Sequence, residues 1–249
     1  MRTISNICYS SENDGVRLLD ICLPETGAKD VLVYFHGGGI ESGDKESKNP
    51  VFECLCKKGI AVVTANYRMY PAAKFPEFVE DAAECCDWVV KNIKKYTPAE
   101  RIFVGGSSAG GYLSMMLCFD ERYLGKYGLS PLDFAGFIHN AGQPTAHFNV
   151  LKERGIDSRR LIVDETAPLY FIGTSEKYPP MLFIVGDKDM PNRYEQTLLT
   201  VSTLKHFGHT ENIKLIVLHG THCEQDFRNN SDGENELGAI AAQYIESIK

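Results

Sequence analysis

With 249 residues, 43% of them hydrophobic and 24% charged, the chain is long enough for one well-packed domain and has the composition of a soluble globular protein. Its formal net charge is −7, and no basic stretch exceeds Lys94-Lys95 or Arg159-Arg160, which argues against nucleic acid or an anionic membrane as partner. The stretch Met1–Cys8 lacks an apolar signal core and no apolar run reaches membrane-span length, so a cytoplasmic protein with no membrane partner is expected.

Two strand-like stretches, 3–8 and 16–22, are separated by Glu12-Asn13-Asp14-Gly15, which suits a hairpin turn and predicts antiparallel strands at a sheet edge. From residue 31 onward short apolar runs alternate with helical patterns, the sign of a parallel sheet covered by helices. Strands are predicted at 31–35, 60–65, 101–104, 134–139, 181–185 and 213–218. Helices are predicted at 46–58, 77–95, 109–119, 192–207 and 233–248, with Pro76 suiting the start of the second. The stretch 143–180 holds Pro144, Gly155, Pro168, Gly173 and Pro179-Pro180 and is long for a connection in such a unit. It reads either as a small lid or pocket-wall insertion, in which Phe148, Leu151, Tyr170, Phe171 and Tyr178 could line a pocket or shape a shallow leaving-group site, or as a surface excursion with a helix or two. The expected architecture is a single α/β domain over 1–249, built on a mostly parallel sheet of about eight strands flanked by helices.

Chemistry concentrates at the carboxyl ends of these strands. Residues 106–110 read Gly-Ser-Ser-Ala-Gly, a Gly-x-Ser-x-Gly frame between a buried strand and an apolar helix. Such a turn pinches its central residue at a strained apex, where flanking bulk is excluded by neighbouring backbone. In register the apex is Ser108; with Ser107 as apex the frame would end on Ala109. Upstream, His36-Gly37-Gly38-Gly39 follows the strand at 31–35, and three successive glycines leave amides able to point at an anion. Two of those amides, with that of Ala109, would form an oxyanion hole.

An activated serine requires a base, and the base an orienting acid. Asp187 and Asp189 follow the strand at 181–185, and His219 and His222 follow the strand at 213–218. The chain order serine, acid, histidine is that of a nucleophile-elbow hydrolase. Asp187 lies nearer the strand end and could instead cap its turn, while His219 lies almost on the strand; spacing leaves both choices open. The remaining histidines, His36, His139, His147, His206 and His209, read as structural. Eight cysteines include the adjacent Cys85-Cys86 and the pair Cys54 and Cys56, and they lie beside apolar residues, so reduced thiols are expected. With no metal-ligand spacing among Cys and His, no metal or other cofactor is expected.

Together, His-Gly-Gly-Gly, Gly-Ser-Ser-Ala-Gly-Gly, Gly-Asp-Lys-Asp, Gly-Thr-His and the stretch Tyr67–Pro71 with Phe75-Pro76 and Glu80-Asp81 resemble the α/β-hydrolase superfamily. The likeness is to hormone-sensitive-lipase-like esterases, most of all to short bacterial acetyl or feruloyl esterases, and runs from about residue 16 to the end. It implies an α/β-hydrolase fold with Ser108 as nucleophile, Asp189 as acid and His222 as base. It also implies Gly38, Gly39 and Ala109 in the oxyanion hole, with His36 fixing the loop. Ser107 departs from the pattern, standing where those esterases usually carry an acidic residue. Only thirty residues precede Val31, so a minimal cap and short-acyl rather than long-chain esters are expected, of carbohydrate or aromatic type. The expected partner is a small-molecule ester. The alternatives are an arylformamidase or small peptidase with the same triad, or a non-catalytic ligand-binding protein on the same scaffold.

Overall fold

The computed structural model describes residues 1–12, 14–46 and 50–248. Eight strands form one sheet: β1 (Arg2–Cys8), β2 (Leu18–Leu23), β3 (Asp30–Phe35), β4 (Ala61–Ala65), β5 (Arg101–Ser107), β6 (Gly136–Asn140), β7 (Met181–Gly186) and β8 (Ile213–Leu218). Their spatial order is β1-β2-β4-β3-β5-β6-β7-β8. β1 and β2 form the expected antiparallel edge, β2 runs antiparallel to β4, and every later pairing is parallel. Of the turn read between the first two strands, Asn13 lies outside the described residues.

The inner strands β2 to β7 are buried on both faces, which is why they read as short apolar runs instead of alternating ones. On one face Val33, Phe35, Val63 and Val104 pack against helices α2 (Glu77–Asn92) and α3 (Ala109–Phe119). On the other, Leu32, Val62, Phe103, Ile138, Leu182 and Ile184 pack against α1 (Pro50–Lys57) and α7 (Glu236–Ser247). All eleven residues of α3 are buried, so it is apolar around its whole circumference. Shorter helices α4 (Glu121–Gly125) and α5 (Phe148–Glu153) and the longer α6 (Arg193–His206) complete the chain. Among the described residues no helix is long and apolar enough to cross a membrane.

Several boundaries differ from the sequence expectation for identifiable reasons. The helix expected at 46–58 is seen from Pro50, residues 47–49 lying outside the described residues. The helix expected at 233–248 starts at Glu236, because the Asn235 side chain accepts the Gly238 amide and sets the cap one turn later. β5 extends three residues beyond its expected end, through Gly105 and Gly106 to Ser107, pairing with Phe35 on one side and Asn140 on the other. Within 143–180 there is one short helix, α5, and a 3-10 turn at Pro168–Phe171, folded over a small core of Ala146, Leu151 and Ala167.

The strand order reverses between β3 and β5, since β4 lies on one side of β3 and β5 on the other. A crevice opens at such a reversal outside the carboxyl ends of the strands, and there the loops after β3 and β5 face each other. The contact is close. A Cβ placed on Gly110 would lie 1.8 Å from the Phe35 carbonyl oxygen, and one on Gly106 would lie 2.5 Å from the same atom. The backbone cannot withdraw, because Phe35 and Gly106 are partners in the β3–β5 ladder. Gly110→Ala should therefore lower the unfolding free energy by at least about 3 kcal/mol in urea denaturation, whereas a loss below about 1 kcal/mol would show that the turn relaxes.

Candidate active site

Ser108 sits between β5 and α3 with φ 55° and ψ −112°, a left-handed conformation that side chains rarely adopt. It is held there by its amide, which donates to the Asn140 carbonyl at 2.8 Å, and by its carbonyl, which accepts the Tyr112 amide at 2.9 Å. Ser107 remains in the strand with its hydroxyl directed down into the sheet, against Tyr34 at 2.6 Å and Asn140 at 2.7 Å. The two adjacent serines thus have opposite surroundings.

His222 approaches Ser108 from the loop after β8. Its Nε2 lies 2.8 Å from Ser108 Oγ, and its Nδ1 lies 2.6 Å from Asp189 Oδ1. The ionised carboxylate can only accept, so Nδ1 carries the proton and Nε2 presents a lone pair to the serine hydroxyl. The Asp189 side chain is fully buried, and the same Oδ1 also accepts the Met190 amide at 2.7 Å. Asp187 and His219 form a second pair, Oδ2 to Nδ1 at 2.8 Å, but both are exposed and neither reaches Ser108. His219 holds the Asp187 carboxyl below its ordinary value, chiefly through that hydrogen bond. The structure therefore brings Ser108, His222 and Asp189 into one chain of hydrogen bonds and puts the alternative pair on the surface.

The His36–Gly39 loop faces the same crevice. Gly38 has φ 113°, and a Cβ there would lie 2.0 Å from the Ser42 carbonyl oxygen, so only glycine fits. His36 stacks on Tyr67 with ring centroids 4.5 Å apart, and the Tyr67 hydroxyl donates to the His36 carbonyl at 2.9 Å. Asn149 donates to the Gly39 carbonyl at 2.7 Å, pinning the loop to α5. Among the described residues the amides of Gly38 and Gly39 donate no hydrogen bond, and Ala109 opens α3, where the first amides have no intrahelical acceptor.

These groups border a cavity of about 630 Å³ lined also by Tyr34, Phe52, Thr64, Phe148, Met190 and Phe227. Glu41, Asp44 and Asp226 line it too, and among the described residues no lysine or arginine does. A groove of similar volume, about 620 Å³, lies at the opposite end of the sheet beside Pro24 and Gly59, away from Ser108 and His222. Of the aromatic and aliphatic residues expected from 143–180 to shape a pocket, Phe148 does so. Leu151 fills the small core of that segment, Phe171 lies under Arg122, and Tyr178 packs between Phe119 and His209. Among the described residues no cluster of three or more His, Cys, Asp or Glu could hold a metal ion.

Two charged residues bear on the site without having been identified from sequence. Arg193, 4% exposed, donates to the Ala141 carbonyl at 2.5 Å; burial lowers its pKa, against the opposing pull of Asp189. Asp226, 5% exposed, accepts from Asn140 at 2.7 Å; burial pushes its carboxyl up to about 6 against the opposing pull of Ser107, Asn140 and His222. A legible signal existed for this network: Tyr34, Ser107 and Asn140 are polar residues at the carboxyl ends of otherwise apolar strands.

The raised Asp226 value fixes the sign of a stability effect. Between its ordinary value of 3.8 and about 6 the folded state binds more protons than the unfolded chain, so ionising Asp226 costs stability as pH rises. The full cost is on the order of 3 kcal/mol. Asp226→Asn removes that titration. Thermal melts from pH 4 to pH 7 should show the variant gaining on the wild type as pH rises; a constant difference would contradict the assignment.

The pattern of the prolyl oligopeptidase family matches residues 76–238, and that described as BD-FAE matches residues 19–127. A carboxylic ester hydrolase, LipN, of Mycobacterium tuberculosis is 34% identical over 42% of this chain and 29% of its own length. An AB hydrolase superfamily protein of Schizosaccharomyces pombe is 32% identical over 75% of this chain and 58% of its own. The chain thus spans less than two thirds of either relative. A propionate-bound esterase structure from Thermogutta terrifontis superposes with a TM-score of 0.76 at 21% identity, covering 98% of this chain and 93% of that one.

Proposed function

The chain belongs to the prolyl oligopeptidase family and carries the α/β-hydrolase fold, and from that premise we propose that it is a serine carboxylic-ester hydrolase acting on short-acyl esters. The observation that carries this reading is the unbroken chain Ser108 Oγ–His222 Nε2, His222 Nδ1–Asp189 Oδ1, at 2.8 and 2.6 Å. In this reading Ser108 attacks the ester carbonyl as His222 takes its proton, and Asp189 holds the imidazole in the required tautomer and stabilises its cation. The amides of Gly38, Gly39 and Ala109 receive the developing oxyanion, each worth about 3 kcal/mol in such sites. His222 then protonates the departing alcohol, and water attacks the acyl-Ser108 ester by the same route in reverse. The chemistry calls on no metal or organic cofactor. The relatives named an ester hydrolase and an esterase support ester over other acyl substrates.

On this reading residues 1–249 act as one domain, with 143–180 as a fixed wall instead of a lid. Support comes from Asn149 bonding to Gly39 and from that segment's own small core. Amide hydrolysis is the second reading, favoured by the prolyl oligopeptidase match. An ester and an amide carrying the same acyl group separate the two: ester hydrolysis at least a hundredfold faster supports the first, and comparable rates the second.

Single substitutions test the assignment of roles. Asp189→Asn and His222→Ala should each lower kcat on the order of a thousandfold or more. Asp187→Asn and His219→Ala should leave it within about threefold; a larger loss from that pair would transfer the roles to it.

Acyl preference follows from the walls. Met190 and Phe227 are 40% and 73% exposed, so the apolar surface is a rim and not a deep tunnel. A long chain laid along a rim collects little of the roughly 0.8 kcal/mol per buried methylene. The carboxylates lining the cavity add a charge rule, each repelling an anionic substrate group by about 1 kcal/mol at surface-like dielectric. Acetyl or propionyl esters should outpace octanoyl ones, and a hemisuccinate ester should fall at least about tenfold below the neutral butyryl ester in kcat/KM. A profile rising steadily to decanoyl, or a preference for the anion, would contradict this account.

A further inference from the structure

Beneath the nucleophile turn lies a buried carboxylate for which the hydrolytic steps have no use. Asp226 closes the 3-10 turn Glu224–Asp226, four residues after His222 on the same loop. Its neighbour Gln225 donates through Nε2 to Asn140 Oδ1 at 2.5 Å, while Asn140 Nδ2 donates to Asp226 Oδ1 at 2.7 Å. The Asn140 amide is thus clasped at both ends by consecutive residues of the histidine loop. Asn140 is also the residue whose backbone carbonyl receives the Ser108 amide.

One arrangement of the protons makes Asp226 the end of this network. One Asn140 Nδ2 hydrogen goes to Asp226 and the other to Ser107 Oγ at 2.7 Å. Tyr34 then donates to Ser107 Oγ, and Ser107 donates onward to Asp226. Every donor leads to Asp226, which serves as the terminal acceptor, and strands β3, β5 and β6 are joined to the turn through it. A second tie runs from Asn235 Nδ2, at the cap of α7, to the Asp226 carbonyl at 2.9 Å.

The need for such an anchor is visible in the loop itself. His219 and Thr221 are exposed, Gly220 is half-buried, and β8, from which the loop springs, is a half-exposed edge strand. The ties of its first residues, from the Gly220 amide to Asp187 at 3.0 Å and from Arg228 to the His219 carbonyl at 2.8 Å, lie on the exposed side. A neutral amide could fill the same space without the cost of burying charge, yet a carboxylate is present. Sites that sacrifice stability locally are commonly functional ones.

We propose that Asp226 is a positioning residue for hydrolysis: it ties the loop bearing His222 to the strand ends bearing Ser108, so that the Nε2–Oγ separation is set by the buried Asp226–Asn140–Ser107 network. This rests on the reading of Ser108 and His222 as nucleophile and base. The network replaces from the histidine side the acidic support that Ser107 cannot supply beside the nucleophile.

The test is steady-state kinetics on a neutral acetyl ester, normalised to active sites titrated with an organophosphonate. Asp226→Asn should lower kcat about tenfold with KM within twofold, and Ser107→Ala about threefold. The double variant should match Asp226→Asn alone, because the hydroxyl acts through the same carboxylate. Full turnover per titrated site in Asp226→Asn, or losses that multiply in the double variant, overturns the proposal. If Asp226→Asn does not fold, Gln225→Ala opens one side of the clasp while leaving the carboxylate. A fall in kcat of about fivefold at constant KM then supports the proposal, and unchanged kcat overturns it. Ser108→Ala separates the two levels: if it stays active the underlying reading fails, whereas an inactive Ser108→Ala beside a fully active Asp226→Asn sinks the positioning role alone.

Discussion

The geometry of the site depends on one backbone contact, the approach of Gly106 and Gly110 to the Phe35 carbonyl. It lets β5 run to its end beside β3 and turn at once into α3, leaving Ser108 at φ 55° with its side chain projecting from the apex. A strained residue persists only where its surroundings over-determine it. Here the Asn140 carbonyl takes its amide, and the wholly buried α3 begins immediately behind it. The same contact brings the glycine loop after β3 against the start of α3, so the amides of Gly38, Gly39 and Ala109 share one crevice. The proposed nucleophile and the amides proposed to receive the oxyanion are thus placed by a single steric condition.

Electrostatics distinguishes the carboxylates around that crevice. Asp189 is fully buried on the imidazole with Arg193 nearby, whereas Asp187 shares an exposed loop with His219. Asp226 is buried beneath the turn with neutral donors only, and its ionisation is correspondingly disfavoured. Chemically identical side chains are assigned different work by burial and by the partners each strand end supplies.

Much of this was legible in the sequence because the signals were local. Each parallel strand was a short apolar run, and the two glycine motifs followed strands directly. That Ser108 and not Ser107 occupies the turn was readable because only one frame ends on glycine. The choice between Asp187 and Asp189, and between His219 and His222, was not readable from spacing alone, since it depends on which loop residue turns inward. Asp226, Arg193 and Asn140 went unidentified because their significance arises from contacts 33 to 86 residues apart in the chain, between elements that periodicity treats separately. Composition could not sort the side chains of 143–180: Phe148 lines the cavity, Phe171 and Tyr178 join the main core, Leu151 fills the segment's own small core and Tyr170 is 49% exposed.

The central claim is that Ser108 is the residue that becomes acylated. It is tested most directly by quenching a fast-reacting aryl acetate with acid at early times and mapping the modified peptide by mass spectrometry. The account predicts a single added acetyl group on Ser108, formed at least about a thousandfold more slowly in His222→Ala. Acetyl found instead on Ser107, or on the Cys223 thiol that lies 3.7 Å from His222 Nε2, or labelling of Ser108 at an unchanged rate without His222, would contradict it.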